Sequence, residues 1–174
     1  MLVDLEFDLE KALQTIHCHR EFNNTSCPGE KFELESFKAV IRETAKEHKF
    51  DLFKLIPEYL VVQPTSRVWE EIVIHHSACD DTILSDWESI WAYHLKDRGW
   101  GAIGYHFGIE KVKDLYVIRQ GRSLDKDGVH CRGHNSKAVG IVFVGNFSKY
   151  SPTLEQLRLG AKLCLMLFSL GIVK

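Results

Sequence analysis

The stretch Ile72-Val73-Ile74-His75-His76-Ser77-Ala78 constrains this chain most. Three β-branched residues in a row are what a buried strand looks like. Alternation puts Val73, His75 and Ser77 on one face and Ile72, Ile74 and His76 on the other. The run turns polar abruptly, so His75 is predicted at the open end of a core strand. Open α/β sheets place their chemistry there. A neutral imidazole at such a point suits a metal ion. A histidine at a strand end is more often a hydrogen-bonded core residue, and the stretch alone leaves both readings open.

At 174 residues the chain is long enough for one domain with a sizeable core. A net charge of −2 gives no broad basic field, which argues against nucleic acid as a partner. The start, Met1 to Glu10, is acidic and lacks the basic and apolar regions of a secretory signal. The apolar stretch from Leu163 to Val173 is too short to span a bilayer, so no transmembrane segment is expected. Five cysteines without a signal peptide point to reduced thiols in a chain made in the cytoplasm. One or more of those thiols are then available to a metal.

Thr15 to Arg20 alternates, with Thr15, His17 and His19 on one side and Ile16 and Cys18 on the other, which predicts a strand ending near His19. A loop follows, and Cys27 stands eight positions after His19, just before Pro28-Gly29. Imidazole and thiolate brought to one point suit zinc, although the spacing is not that of a zinc finger, and a free buried thiol is the bland alternative. Residues 31–48 carry Leu34, Phe37, Ile41 and Ala45 at helical spacing. Pro57 and Pro64 interrupt 49–68, read as a connection in which 60–62 is a candidate edge strand.

Asp80-Asp81-Thr82 is predicted to open a helix over 83–97, with Ile83, Trp87, Ile90, Trp91, His94 and Leu95 on one face and Gly99 as its stop. On that face His94 reads first as a packing residue. Residues 105–109 and 115–118 read as strands, and 123–138 as a loop holding His130, Cys131, His134 and Asn135. Residues 139–144 form a continuous apolar strand. Thr153-Leu-Glu-Gln156 is a capping box that starts a helix ending near Gly171. The fold class is α/β: a single domain with a central mixed sheet flanked by helices.

Taken together, these words resemble the type 2 zinc N-acetylmuramoyl-L-alanine amidases, a family that includes phage lysozyme-like amidases and animal peptidoglycan recognition proteins. The resemblance rests on residues 72–78, on Gly99-Trp-Gly-Ala-Ile-Gly-Tyr105-His-Phe and on Gly121-Arg122. It continues through Gly128-Val-His130 with Gly133 and Asn135, Gly140-Ile-Val-Phe-Val-Gly-Asn-Phe147, and Pro152-Thr with Gln156. It covers about 72–170 in family order. The family closes with a His-Arg-Asp-like word and a Cys-Pro-Gly word. Here their counterparts stand at the front, as His19-Arg20-Glu21 and Thr25-Ser26-Cys27-Pro28-Gly29. The resemblance therefore implies a circular permutation: 1–29 as the displaced closing segment, 30–70 as helix and connection, and 71–174 as the amidase core. Completion of the site of a neighbouring chain by swapping is the other arrangement this order allows.

The resemblance implies Zn2+ held by His75, His19 and Cys27. It also implies Tyr105 as the active-site tyrosine, with Thr25 and His130 as further catalytic candidates. His94, Asn135 and Arg122 are candidates for contacting substrate. His17, His76 and His106 are expected to support the ligands or the structure, and His134 is unassigned. Two departures bear on catalysis: Thr25 replaces a lysine carried by some phage members, and Val142 stands where some members have a glutamate base. The expected partner is bacterial peptidoglycan. The expected setting is a phage or prophage lysin that reaches the wall by an export route such as a holin. A binding module without activity is the competing expectation, and such relatives typically lose the cysteine. A structural zinc site closed by His17 or Cys18 is a third.

Overall fold

A computed structural model describes residues 7–48, 57, 59, 60, 62, 65–79 and 86–174. In chain order the elements are α1 (Leu9–Gln14), β1 (Ile16–Cys18), α2 (Leu34–His48), β2 (Glu71–His76), α3 (Trp87–Ala92), β3 (Phe107–Val112), β4 (Leu115–Gln120), β5 (Ala138–Phe143) and α4 (Leu154–Ser169). The five strands form one mixed sheet in the order β1-β2-β5-β3-β4. All neighbours are parallel except β3 and β4, which form an antiparallel pair.

The sheet separates the two faces that alternation assigns to β2. On one side Ile72 and Ile74 of β2 join Val139, Ile141 and Phe143 of β5 in the main core, together with Phe32, Phe37, Leu163 and Leu167. Helices α2 and α4 pack against each other on this side. Thr153 caps α4, its side chain accepting from the Gln156 N–H at 3.2 Å, as the capping box predicts. On the other side Val142 packs with Trp87, Ile90 and Ile103, and Val73 with Cys131. His75 shares that second side and is almost fully buried at the C-terminal end of β2.

Three boundaries differ from the sequence expectation. Leu60 and Val62 lie outside any strand; Leu60 is buried in the core instead. The strand expected from Tyr105 begins at Phe107, although the His106 N–H already donates to the Gly140 carbonyl of β5. The helix expected over 83–97 is described from Trp87, capped by Asp86, and its last turn, Tyr93–Asp97, is π-helical. That widened turn leaves Leu95 exposed while His94 stays buried. The proposed opening at 80–85 lies outside the described residues. Gly99 stops the helix with φ +66°, a conformation that favours glycine.

The end of the chain returns to the sheet. Val173 pairs in parallel with Trp69, just before β2, on the edge that β1 also occupies.

Candidate metal centre

Strand β1 is only three residues long, and its register with β2 does the positioning. Cys18 lies opposite Ile74, so the next residue, His19, falls beside His75. The imidazole centroids of His19 and His75 are 4.6 Å apart. A single 3-10 turn, His19–Glu21, then folds the chain back, with the Glu21 carboxylate accepting the Cys18 N–H. The loop closes when Arg20 N–H donates to the Cys27 carbonyl at 2.9 Å. The Arg20 guanidinium spans the same loop, donating to the carbonyls of Gly29 at 2.8 Å and Phe32 at 2.9 Å. Gly29, at φ +96°, presses so close to Phe147 that a Cβ there would lie 2.3 Å from the Phe147 backbone. The loop is thereby held against the sheet.

This folding delivers Cys27 to His75. The Cys27 sulfur is 3.6 Å from His75 Nδ1 and accepts the His76 N–H at 3.4 Å. Ligand atoms of His19, Cys27 and His75 all lie within 4.8 Å of one another. Zinc bonds of about 2.3 Å to sulfur and about 2.0–2.1 Å to nitrogen, at a tetrahedral angle, place S and N about 3.5 Å apart. The Cys27–His75 separation matches that value, so the donor set fits Zn2+ in its chemistry and this pair fits it in spacing. One chain supplies all three donors, so no neighbouring chain is needed to complete the group.

Electrostatics agree with a site for a cation. Burial holds His75 well below the usual imidazole range, with lesser contributions from His130, His19 and His76. His75 is therefore held neutral, the form in which an imidazole can coordinate a metal. Burial likewise lowers His19 against an opposing hydrogen bond to Asn23. Burial pushes the Cys27 thiol up to about 12, against the His76 N–H, which favours the thiolate. A bound cation reverses that balance, because a coordinating thiol is deprotonated.

The surrounding residues have defined places. Tyr105 sits with its ring centroid 5.1 Å from that of His75, and burial raises its phenol, keeping it protonated. The Thr25 hydroxyl accepts the Cys27 N–H at 3.2 Å, so it shapes the loop that presents the sulfur. His130 Nδ1 is 3.0 Å from His75 Nε2, and His130 Nε2 is 3.2 Å from the Ala138 carbonyl. Burial, the largest influence, brings His130 down to about 3.

The three residues expected to touch substrate have internal partners. Asn135 Oδ1 accepts the N–H groups of His130 and Cys131. Arg122 donates to the carbonyls of Ile103, Trp100 and Ala102, fastening the loop before Tyr105. His94 Nδ1 accepts the Gly104 N–H, and its ring lies between Trp100 and Tyr105 at centroid distances of 4.6 and 5.5 Å. This is the packing role that its helical face suggested.

The remaining histidines tie segments together. His76 Nδ1 accepts the Phe147 N–H. His106 accepts from Gly140 and reaches the Lys126 carbonyl. His17 turns to Glu21, and Cys18 faces the core. Neither joins His75, and among the described residues the one group able to hold a metal has three members. Sequence reasoning missed Asn23. Its Oδ1 is 3.0 Å from His19 Nε2, and its amide N–H also reaches across to the Arg132 carbonyl. It also missed Phe22, stacked at 3.6 Å on His134, which pairs with Glu71.

Two imidazoles and a thiol thus gather at one end of the parallel pair β1 and β2, where an open α/β sheet places its ligand crevice. The sequence of residues 65–172 matches the family model described as N-acetylmuramoyl-L-alanine amidase, and the chain belongs to that family. Peptidoglycan-recognition protein 2 of Holotrichia diomphalia is 33% identical over 106 residues, covering 58% of this chain and 55% of that protein. The N-acetylmuramoyl-L-alanine amidase of Homo sapiens is 35% identical over 94 residues, covering 50% of this chain and 16% of that protein. This chain spans about half the length of the beetle relative and a smaller share of the human one. Among solved structures, PGRP-SA of Apis mellifera superposes with a TM-score of 0.54 at 27% identity, over 68% of this chain and 74% of that one. His19 and Cys27 lie outside the matched residues 65–172.

Proposed function

We propose that this chain is a zinc amidase that hydrolyses the amide between N-acetylmuramic acid and L-alanine in bacterial peptidoglycan. The observation that carries this reading is the meeting of His19, Cys27 and His75, with Cys27 retained and no fourth protein donor among the described residues. Zn2+ bound there would supply a water acidic enough to react near neutral pH and a Lewis acid for the amide carbonyl. Around it, the chain's own residues orient the reaction. The protonated Tyr105 phenol, whose ring neighbours that of His75, would donate a hydrogen bond to the carbonyl oxygen as negative charge develops. The His76 N–H supports the Cys27 sulfur, and Thr25 and Arg20 hold the loop that carries it. His130 has both ring nitrogens engaged, so we assign it no proton-transfer step.

We also infer that the chain is a circular permutant of its family. The His19–Cys27 segment precedes the matched region and meets His75, which supports reading it as the family's closing segment moved to the front. Val173 and Ile16 line the same edge of the sheet, as a once continuous strand would.

A peptidoglycan-binding module without activity is the second reading, favoured by the names of several relatives. Purified cell wall, incubated with the zinc-loaded protein, separates the two. Hydrolysis frees L-alanine amino groups without new reducing sugar ends, and Cys27→Ser abolishes the release. Wall that is bound but uncut overturns the amidase reading and leaves the binding module. Among the described residues no helix is long and apolar enough to cross a membrane.

A further inference from the structure

We propose that His130 is a positioning residue that fixes the tautomer of His75, so that His75 presents Nδ1, and not Nε2, to the metal. The inference rests on the zinc reading above and deepens it. The argument follows protons along three groups. A backbone carbonyl only accepts, so His130 Nε2, facing the Ala138 carbonyl at 3.2 Å, carries a proton. A neutral imidazole has one ring proton, which leaves His130 Nδ1 as an acceptor. That atom lies 3.0 Å from His75 Nε2, so the proton between them belongs to His75. His75 Nδ1 is then a bare lone pair, and it faces the Cys27 sulfur at 3.6 Å.

The fold is built around this placement of His130. A Cβ at Gly140 would lie 2.5 Å from the ring, and one at Gly128 would lie 2.3 Å from it. Two glycines thus form a slot that admits the imidazole edge-on. Asn135 holds the backbone of His130 from beneath, accepting its N–H at 2.8 Å. Asn23 repeats the device for His19, whose Nε2 is 3.0 Å from Asn23 Oδ1. A metal-bound histidine generally donates its other N–H to such an acceptor, and losing it weakens metal binding by about 10–100-fold.

The test reads the tautomer and the metal separately, in the full chain. Proton–nitrogen NMR of 15N-histidine-labelled protein, before and after Zn2+ is added, reports which nitrogen of His75 carries hydrogen. Zn2+ affinity is measured by competition with a chromophoric chelator. The expected wild-type result is Nε2–H on His75 in both states. His130→Asn keeps an acceptor near the Nδ1 position and is expected to retain that tautomer and bind zinc within a few-fold of wild type. His130→Leu removes it, and zinc binding is expected to weaken by about 10–100-fold with a mixed His75 tautomer. Nδ1–H on His75 in the wild type overturns the proposal, as does unchanged tautomer and affinity in His130→Leu. A wild type that keeps Nε2–H but takes up no zinc supports the positioning role and overturns the metal reading instead.

Discussion

Val173 and Ile16 lie end to end along one edge of the strand that carries His75. Val173 is paired with Trp69 and Ile16 with Ile72, both in parallel. Three residue steps, from Trp69 to Ile72, separate those positions, roughly 10 Å at about 3.3 Å per step. The gap is shorter still because Glu70 and Glu71 both donate to the Lys137 carbonyl, a bulge that skips one edge position. A chain rebuilt to run from residue 65 to Lys174, then through a short glycine linker into Thr15 and on to 48, is expected to fold. It should bind zinc with the native stoichiometry. Circular dichroism and metal analysis check this, and a rebuilt chain that folds but takes up no zinc counts against the permutation.

One side chain spans the loop holding Cys27. Arg20 satisfies the carbonyls of Gly29 and Phe32. Arg20→Met is expected to lower stability by about 1–3 kcal/mol, since hydrogen bonds to a charged group are lost. Zinc affinity should fall with it, although no ligand is altered. Urea unfolding and chelator competition provide the two readings. Unchanged affinity would mean that the loop is held by its backbone alone.

Gly140→Ala tests the slot around His130 from its floor. The added methyl overlaps the imidazole, so the ring moves or the strand yields. Overpacking of this kind costs about 1–3 kcal/mol. Zinc should bind more weakly than in wild type, and the His75 N–H resonance should shift. Wild-type stability together with an unmoved resonance would show the slot to be roomier than the distances indicate.

Acid should loosen a specific clamp. Burial raises the Glu71 carboxyl, but hydrogen bonds from His134 at 2.7 Å and Lys137 at 3.0 Å outweigh it and hold the group below its ordinary 4.5. A carboxylate depressed in the folded state adds stability that is fully present above its unfolded value. That stability is lost as pH falls through the folded value. Glu71→Gln is expected to lose roughly 1–2 kcal/mol at pH 7 and to show a flatter decline below about pH 4.5. Unfolding free energies measured from pH 7 to pH 3 check both parts.

Much of the sheet was legible because β-branched runs and two-residue alternation are local signals. Ile72 to His76 declared both a strand and its two faces, and the 3.6-residue spacing from Leu34 to Ala45 declared α2. The triad was legible only through motif order. Nothing in the spacing of His19 and Cys27 tells that β1 lies beside β2, since strand pairing is a long-range contact. The role of His130 was hidden for a related reason. Its tautomer is set by the carbonyl of Ala138, and every residue has a carbonyl. Asn135 and Arg122 stood out through the motif words they belong to, whereas the backbone groups they hydrogen-bond have no signal in sequence. The pairing of Val173 with Trp69 had no sequence signal.

Two of the three donors come from one short segment, and the third from the strand on which that segment lies. An ion gripping all three would therefore be a cross-link as well as a cofactor: it would rivet the segment from His19 to Cys27 onto β2. Stripping it with a chelator should leave the main core intact while the riveted segment becomes the first place a protease cuts.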